Sequence, residues 1–170
     1  MKTKTKNQGK NEERSVEYFN KWDTEKTLKN LVKKSAPLIF DVGANNGSSV
    51  NDFKLWWPES NIHCFEPQEE CRQDLLDTAA LYEGTGSVRI NNVAVGNVPT
   101  KEATFYTHDI NSGISGFNKI NMESKDSINL NNLSEQGHAA KQLYSAALNH
   151  DRKVEGIRLD DYVNAIDSNL

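Results

Sequence analysis

The sequence has little of what marks a secreted, membrane-bound or metal-binding protein. Its 170 residues include only two cysteines, Cys64 and Cys71, whose spacing matches no metal or redox motif. No apolar run approaches the roughly 20 residues that span a bilayer, and residues 1–14 are too polar for a secretory signal. We therefore expect a cytoplasmic protein in a reducing setting, with no membrane span and no metal site.

Positive charge is scarce outside the first residues. The chain carries a net charge of −4, and its residues 1–14 hold five basic and two acidic side chains, which leaves −7 for residues 15–170. This balance disfavours binding to a nucleic acid backbone. The composition of residues 1–14 predicts a disordered polar tail, and residues 15–170 are enough for one domain with a core.

The strongest local pattern is an apolar run that changes abruptly into a turn of small residues. Leu-Ile-Phe-Asp-Val at 38–42 predicts a strand buried on both faces of a parallel sheet. Gly43 and Gly47 bracket a tight turn, and a helical pattern then runs until Pro58. A strand, a glycine turn and a helix N-terminus bring exposed N–H groups together, as in a nucleotide site. Asp41 would repel a pyrophosphate and attract the amino group of a methionine-like ligand.

A second strand makes this pattern more specific. The run Ser60–Pro67 is a short apolar strand that ends on Glu66, nineteen residues after Gly47. An acidic residue at about this distance typically holds a ribose diol by two hydrogen bonds. Pro67 suits the first turn of the helix that follows. The apolar residues of that helix share one face: Cys71, Leu75, Ala79 and Tyr82.

The composition of the turn separates two kinds of cofactor. A dinucleotide-binding fingerprint would need glycines at 43, 45 and 48, where the chain has Gly43, Asn45 and Ser48. The run that starts at Asp41 fits better the acidic glycine loop of S-adenosylmethionine enzymes, with Asn45 in place of the middle glycine. A nicotinamide-dependent oxidoreductase is therefore disfavoured.

Four segments carry a resemblance to a known family: Asp-Val-Gly-Ala-Asn-Asn-Gly at 41–47, Phe-Glu-Pro at 65–67, Asn-Val-Ala-Val-Gly at 92–96 and Arg-Leu-Asp-Asp-Tyr-Val at 158–163. Together they resemble successive landmarks of the FkbM-type methyltransferases, and Asn45 is a feature of that family's loop. The resemblance implies an α/β class I methyltransferase fold, which is a Rossmann-like, doubly wound sheet. It also implies S-adenosyl-L-methionine as the cofactor and methyl transfer from it, usually to a hydroxyl.

The resemblance also implies roles for residues of the turn. Gly43, Ala44 and Asn45 would hold the methionine end of the cofactor, and Glu66 would hold its ribose. Asp41 would steady the turn or bind the amino group of the ligand.

The remaining candidates have weaker support. Gly47 belongs to the same turn and is counted with the cofactor-binding residues. Asn91 and Asn92 lie near the end of the third strand, and one of them, with Asn92 as the chosen candidate, would approach the adenine edge. Ordinary turn asparagines are the alternative. His108 and Asp109 are weak candidates for a catalytic base, since histidine titrates near neutrality. A surface loop histidine is the favoured alternative for His108.

Further elements are predicted along the chain: helices at Val16–Lys34, with Asp23 or Thr24 as a cap, and at Ala139–Asn149, and strands at Val88–Val95 and Ala103–Thr107, with Phe105 inward. Asp160 or Asp161 is expected to cap a short helix. The second-strand residue His63 is expected to be a partnered structural residue.

Residues 111–137 form a polar insertion that is long for a compact domain. It is interpreted either as a lid over the acceptor pocket or, with slightly more weight, as a partly disordered loop. Gly113 and Gly116 would be flexible points of a lid, and Ile114 and Phe117 would pack if it closed.

In the family, a strand with an acidic-Gly motif follows the last landmark, whereas this sequence ends at Leu170. We therefore expect a truncated form, with a sheet incomplete in its C-terminal half and one exposed edge on the first strand. The function predicted first is O-methyl transfer to a sugar or metabolite, so the partner would be a small-molecule or glycan acceptor. An inactive or binding-only fragment is the alternative, and the oligomeric state stays open.

Overall fold

The computed structural model describes residue 21 and residues 23–108, 112–121 and 150–167. In chain order the elements are α1 (Thr24–Val32), β1 (Leu38–Val42), α2 (Ser48–Trp56), β2 (Asn61–Phe65), α3 (Glu69–Ala80), β3 (Ser87–Asn91), β4 (Ala94–Val95), β5 (Thr100–Thr107), a 3₁₀ turn (Ser112–Ile114), β6 (His150–Ile157) and α4 (Leu159–Asp167). The strand–turn–helix–strand–helix order predicted for residues 38–80 is confirmed.

The first three strands form a parallel sheet in the order β1-β2-β3. Parallel strands joined by helices are the arrangement of a doubly wound α/β unit, and this mixed α/β structure is compatible with a Rossmann-like fold. The register pairs Val42 with Phe65 and Phe65 with Asn91. The carboxyl ends of all three strands therefore meet at one edge of the sheet.

The prediction that β1 is buried on both faces is wrong. Leu38 is 51% exposed and Val42 is 53% exposed, while Ile39 packs against the core on the opposite face. Within the described residues β1 pairs only with β2. Phe40 contacts Tyr162 of α4, with ring centroids 6.4 Å apart.

The core lies between this sheet and the helices α2 and α3. Its buried residues are Ala44, Val50, Ile62, Cys64 and Leu75. Helix α2 ends at Trp56 before Pro58, as predicted. Helix α3 begins at Glu69 with Gln68 as its N-cap, so Pro67 precedes the helix and the prediction that it occupies the first turn is wrong.

A second described sheet has the order β4-β6-β5, in which β6 runs parallel to β4 and antiparallel to β5. The single strand predicted for Val88–Val95 is therefore wrong, because β3 and β4 belong to different sheets. The strand predicted at Ala103–Thr107 is confirmed within β5, and Phe105 is buried there. Strand β6 was not predicted, since its residues are mostly polar and exposed.

The two terminal helices differ in how they pack. Asp23 caps α1, as its side chain accepts from the Lys26 N–H at 2.9 Å, but no residue of α1 is buried. The predicted cap at Asp160 or Asp161 is wrong, because both residues lie in the first turn of α4.

Three predicted segments lie outside the described residues: the helix at 139–149, the start of the first helix before residue 21, and residues 122–137 of the insertion. No helix in the described ranges is long and apolar enough to cross a membrane.

Lys54 of α2 is a buried cation that the sequence did not reveal. Lys54 is only 2% exposed to solvent. The ammonium donates to three backbone carbonyls, of Pro58 at 3.3 Å, Ser60 at 2.8 Å and Thr85 at 2.5 Å. Burial lowers the pKa of this ammonium, and the Glu59 carboxylate partly opposes the shift. Lys54 thus joins the end of α2 to the segments that precede β2 and β3.

Candidate functional site

A cleft of about 230 Å³ lies at the carboxyl ends of β1 and β2. Crevices at this edge of an open parallel sheet are where ligands of α/β proteins usually bind. The turn after β1, the residues after β2, the second sheet and the 3₁₀ turn all contribute to its wall. The lining residues are Val42, Gly43, Asn45, Phe65, Glu66, Pro67, Gln68, Ala94, Val95, Phe105, Ser112, Gly113, Ser115 and Phe117.

The turn after β1 needs left-handed backbone at three positions. Gly43 has φ +82°, Asn45 has φ +48° and Gly47 has φ +86°. Asparagine is among the few residues other than glycine that adopt this conformation at modest cost. The replacement of the middle glycine by Asn45 therefore keeps the shape of the turn.

The two glycines have different neighbours. A Cβ on Gly47 would lie 2.9 Å from Thr78 Cγ2 of α3 and 3.1 Å from Leu75 Cδ1, so this glycine permits close packing of the turn on α3. A Cβ on Gly43 would meet nothing within 4 Å. Gly43 therefore leaves open space beside the cleft, whereas Gly47 is a packing residue that does not line it.

The prediction of exposed amides in the turn is wrong. The N–H groups of Gly43 and Ala44 both donate to the carbonyl of Phe65, at 2.9 and 3.3 Å. The Asn45 N–H donates to Glu66, the Asn46 N–H to the Asn45 side chain, and the next two N–H groups to Ala44 O and Asn46 Oδ1. Since every amide from 43 to 48 has a partner, the turn presents side chains and bare Cα surface to the cleft.

Glu66 links the two strand ends, as the spacing predicted. Its side chain is buried, with the residue 4% exposed. One oxygen, Oε2, accepts from the Asn45 N–H at 2.9 Å, and Oε1 accepts from the N–H and the side-chain amide of Gln68, at 2.9 and 3.2 Å. A carboxylate has about four acceptor positions, so one remains on Oε2. Two hydrogen bonds to a ribose diol would require the Gln68 amide to leave Oε1.

Ser112 is a site residue that was not predicted. Its hydroxyl accepts from Asn45 Nδ2 at 2.8 Å, and its carbonyl accepts from Gln68 Nε2 at 3.2 Å. The start of the polar insertion is therefore bonded to both strand ends. The prediction that Gly116 is a flexible point is not supported, since Gly116 and Tyr106 exchange two backbone hydrogen bonds, at 2.8 and 2.9 Å.

Asp41 and Ala44 lie behind the turn rather than in the cleft lining. Asp41 accepts from the Ser49 hydroxyl at 2.5 Å and so ties β1 to the first turn of α2. Burial raises the pKa of the Asp41 carboxyl, and the hydrogen bond from Ser49 partly opposes this shift. Burial and the Asp41 carboxylate raise the pKa of Cys64 to about 12, so this thiol stays protonated. This geometry favours the turn-steadying alternative for Asp41.

Asn92 was expected beside the cofactor, but it does not line the cleft. Its side chain donates to Glu69 Oε2 at 3.0 Å, and it lies in a separate groove of about 600 Å³ between α3 and β3. Asn91 donates to the carbonyl of Cys64 at 2.9 Å and does not line the cleft either. The chain leaves the first sheet between β3 and β4, and Asn92 lies in this connection, outside the cleft. The larger groove contains none of the turn residues.

The structure tests the predictions for two histidines, of which one is confirmed and the other is wrong. His63 is confirmed as a partnered residue, with Nδ1 2.8 Å from the Tyr162 hydroxyl. Burial, followed by the charge of Arg89, lowers the pKa of His63. The surface position favoured for His108 is wrong, because His108 is 3% exposed and its backbone N–H donates to Ser115 Oγ at 3.2 Å. Asp109 lies outside the described residues, and in the described ranges no three His, Cys, Asp or Glu residues group as metal ligands would.

Fold and site thus define an α/β protein with a parallel sheet and a cleft at its carboxyl edge. Over 59 residues the chain is 36% identical to the 2-O-methyltransferase NoeI of Sinorhizobium fredii (strain NBRC 101917 / NGR234). This match covers 31% of the chain and 24% of NoeI, so the similarity concerns about a quarter of that relative's length. No family model matches the chain, and no solved structure matches it.

Proposed function

We propose that this chain binds S-adenosylmethionine and is a methyltransferase of the FkbM type. The observation that carries the proposal is the hydrogen bond between Glu66 and the Asn45 amide, beside a cleft at the sheet's carboxyl edge. This contact brings the acidic residue of the second strand to the glycine turn. The partial similarity to a methyltransferase supports the same class of reaction.

The proposed roles follow the positions of the residues. Glu66 binds a ribose hydroxyl through the open acceptor position on Oε2, and Gly43 lets the ligand approach the backbone. Asn45 contributes its side chain to the same wall. Asp41 and Gly47 shape the turn from behind, through Ser49 and Thr78 respectively. Ala44 is buried beneath the turn and supports it.

S-adenosylmethionine supplies a sulfonium-bound methyl group, which is already electrophilic. The protein therefore needs mainly to align an acceptor oxygen with that methyl group and to exclude water. NoeI is named as a 2-O-methyltransferase, and by similarity we propose a hydroxyl of a small molecule or glycan as the acceptor. The roles of His108 and Asp109 as a catalytic base stay predictions.

Ligand binding tests the cofactor assignment. The melting temperature of the chain is measured with S-adenosylhomocysteine and, separately, with NAD. Ligand at 100 times its Kd stabilises a fold by about 2.7 kcal/mol, or about 5 to 10 °C for a domain of this size. We expect this rise with S-adenosylhomocysteine and none with NAD.

A matched pair of variants locates the binding. Glu66→Gln should abolish most of the rise, because its amide replaces an acceptor oxygen with a donor. Glu83→Gln, at an exposed position outside the cleft, should keep it. No rise for the unmodified chain, or an equal rise in Glu66→Gln, would contradict the proposal. Binding without methyl transfer to any hydroxyl acceptor would indicate the binding-only alternative.

A further inference from the structure

The lining of the cleft combines two kinds of surface. The turn after β1 and the residue after β2 supply Asn45 and the buried carboxylate of Glu66. The second sheet and the inserted segment supply Ala94, Val95, Phe105 and Phe117. A ligand that fills this cleft needs a hydroxylated part and an apolar part.

Phe117 is held with one part of its ring covered and another part open. Its ring meets Phe105 edge to face, with centroids 5.6 Å apart and planes at 83°. Gly96 lies beside the ring, because a Cβ on Gly96 would be 3.6 Å from Phe117 Cε2. Phe117 nevertheless remains 39% exposed.

The backbone around Phe117 is anchored at two places. Gly116, the preceding residue, pairs with Tyr106 of β5. Ser112, five residues earlier, is bonded to Asn45 and Gln68, which both donate to Glu66. The segment is therefore bonded both to the second sheet and to the partners of Glu66, although it lies far from Glu66 in sequence.

Resting on the proposed function, we infer that Phe117 binds the adenine ring of the cofactor, while Glu66 binds its ribose. A purine nucleoside joins a flat aromatic group to a polyol. The aromatic group suits the apolar lining residues, and the polyol suits the carboxylate of Glu66. Aromatic side chains bind bases by stacking, with a contribution of about 1–3 kcal/mol per base. An apolar acceptor is the competing occupant of the same wall.

The test uses S-adenosylhomocysteine and its base-free analogue S-ribosylhomocysteine, with Kd measured by calorimetry. Phe117→Ala should weaken S-adenosylhomocysteine about tenfold, the equivalent of about 1.4 kcal/mol. The same change should leave the Kd of S-ribosylhomocysteine within about twofold of its original value, since it has no base to stack. Phe117→Tyr should bind both ligands like the unmodified chain, and Phe117→Leu should lie between.

Leu81→Ala is the matched control, because Leu81 is an exposed apolar residue outside the cleft. It should change neither Kd. Equal losses for both ligands in Phe117→Ala would show a structural role and overturn the inference, as would no loss at all. If Phe117→Ala does not fold, Phe117→Leu gives the same comparison, with Phe117→Tyr as its conservative control.

The proposed function and this inference fail in different ways. If the unmodified chain binds no S-adenosylhomocysteine, both fall together. If it binds that ligand and depends on Glu66 but not on Phe117, only the adenine assignment is overturned. Retention of S-adenosylhomocysteine affinity in Phe117→Ala with loss of acceptor affinity would assign the apolar wall to the acceptor.

Discussion

The carboxylate of Glu66 accepts a hydrogen bond from the Asn45 N–H at 2.9 Å, although the two residues are 21 positions apart. This contact joins the ends of two neighbouring parallel strands. It leaves one acceptor position of the carboxylate for a ligand, in a cleft that Gly43 also lines. In our proposal Glu66 both stabilises the turn and binds the ligand. Substitutions must therefore measure its effect on stability and its effect on binding separately.

We predict that Glu66→Ala lowers the free energy of unfolding by about 2–3 kcal/mol, because two backbone N–H groups lose a charged acceptor. Denaturant unfolding followed by circular dichroism measures this loss. Glu83→Ala, at an exposed site, should change stability by less than about 0.5 kcal/mol. A Glu66→Ala chain as stable as the original would contradict the bonding described for the turn.

The proposed binding of the ribose by Glu66 can be measured separately, through the affinity for deoxy analogues of the ligand. The unmodified chain should bind S-adenosylhomocysteine more tightly than one of its 2′-deoxy and 3′-deoxy analogues, because Glu66 has one open acceptor position and the hydroxyl bound there is lost in only one of them. In Glu66→Gln that discrimination should shrink. Calorimetric Kd values for the three ligands check it, and unchanged discrimination in the variant would assign Glu66 to the turn alone.

The two glycines of the turn should differ in their response to alanine. Both have positive φ, so either substitution strains the backbone by about 1–2 kcal/mol. At Gly47 the new Cβ also meets Thr78 Cγ2 at 2.9 Å, which adds about 1–3 kcal/mol of overpacking. Gly47→Ala should therefore be the more destabilising in denaturant unfolding, and Thr78→Ser should recover part of its loss. Equal costs for the two glycines would remove the packing role of Gly47.

Lys54 should be necessary for stability rather than for binding. Lys54→Met keeps the length of the side chain but removes the ammonium donor from three carbonyl groups, of which that of Ser60 keeps the Ser87 N–H. We expect a cost of about 3 kcal/mol. Lys29→Met is the control, because Lys29 pairs with Glu25 on an exposed helix face, where such pairs are worth less than about 1 kcal/mol. Both values come from urea unfolding at neutral pH, and similar costs for the two lysines would disprove the buried role.

His63 should make stability depend on pH. Burial and Arg89 lower its pKa in the folded chain below the ordinary value of 6.5, so the unfolded chain binds the proton more readily. The contribution is therefore fully present above pH 6.5 and is lost as the pH falls through and below that value. Among the described residues, the charged or titratable groups that act on this imidazole are Arg89 from β3 and the Tyr162 hydroxyl from α4.

The measurement is the difference in unfolding free energy between the original chain and His63→Phe across pH 5 to 8. This difference should move in favour of His63→Phe as the pH is lowered, because the variant has no proton to take up on unfolding. The difference cancels the titration of the other histidines. A difference that does not vary with pH would contradict the lowered pKa.

The sequence by itself determined the front of the fold and the pairing at its centre. Apolar runs and a glycine turn are local signals, so β1 and β2 could be predicted from short apolar runs, and α2 and α3 from a period of 3.6 residues. The interval from Gly47 to Glu66 predicted that an acidic side chain would reach the turn. Asn45 was recognisable as a replacement for glycine, and the structure supplies the reason in its positive φ.

Only the tertiary structure decided which groups face the cleft. The turn amides are taken up by Phe65, Glu66 and the turn itself, and Ser112 and Phe117 arrive from a segment with no regular pattern. The polar strand β6, the buried ammonium of Lys54 and the buried His108 likewise left no local signal. Contacts between residues far apart in sequence have no periodicity to show, because they depend on how whole elements pack against one another.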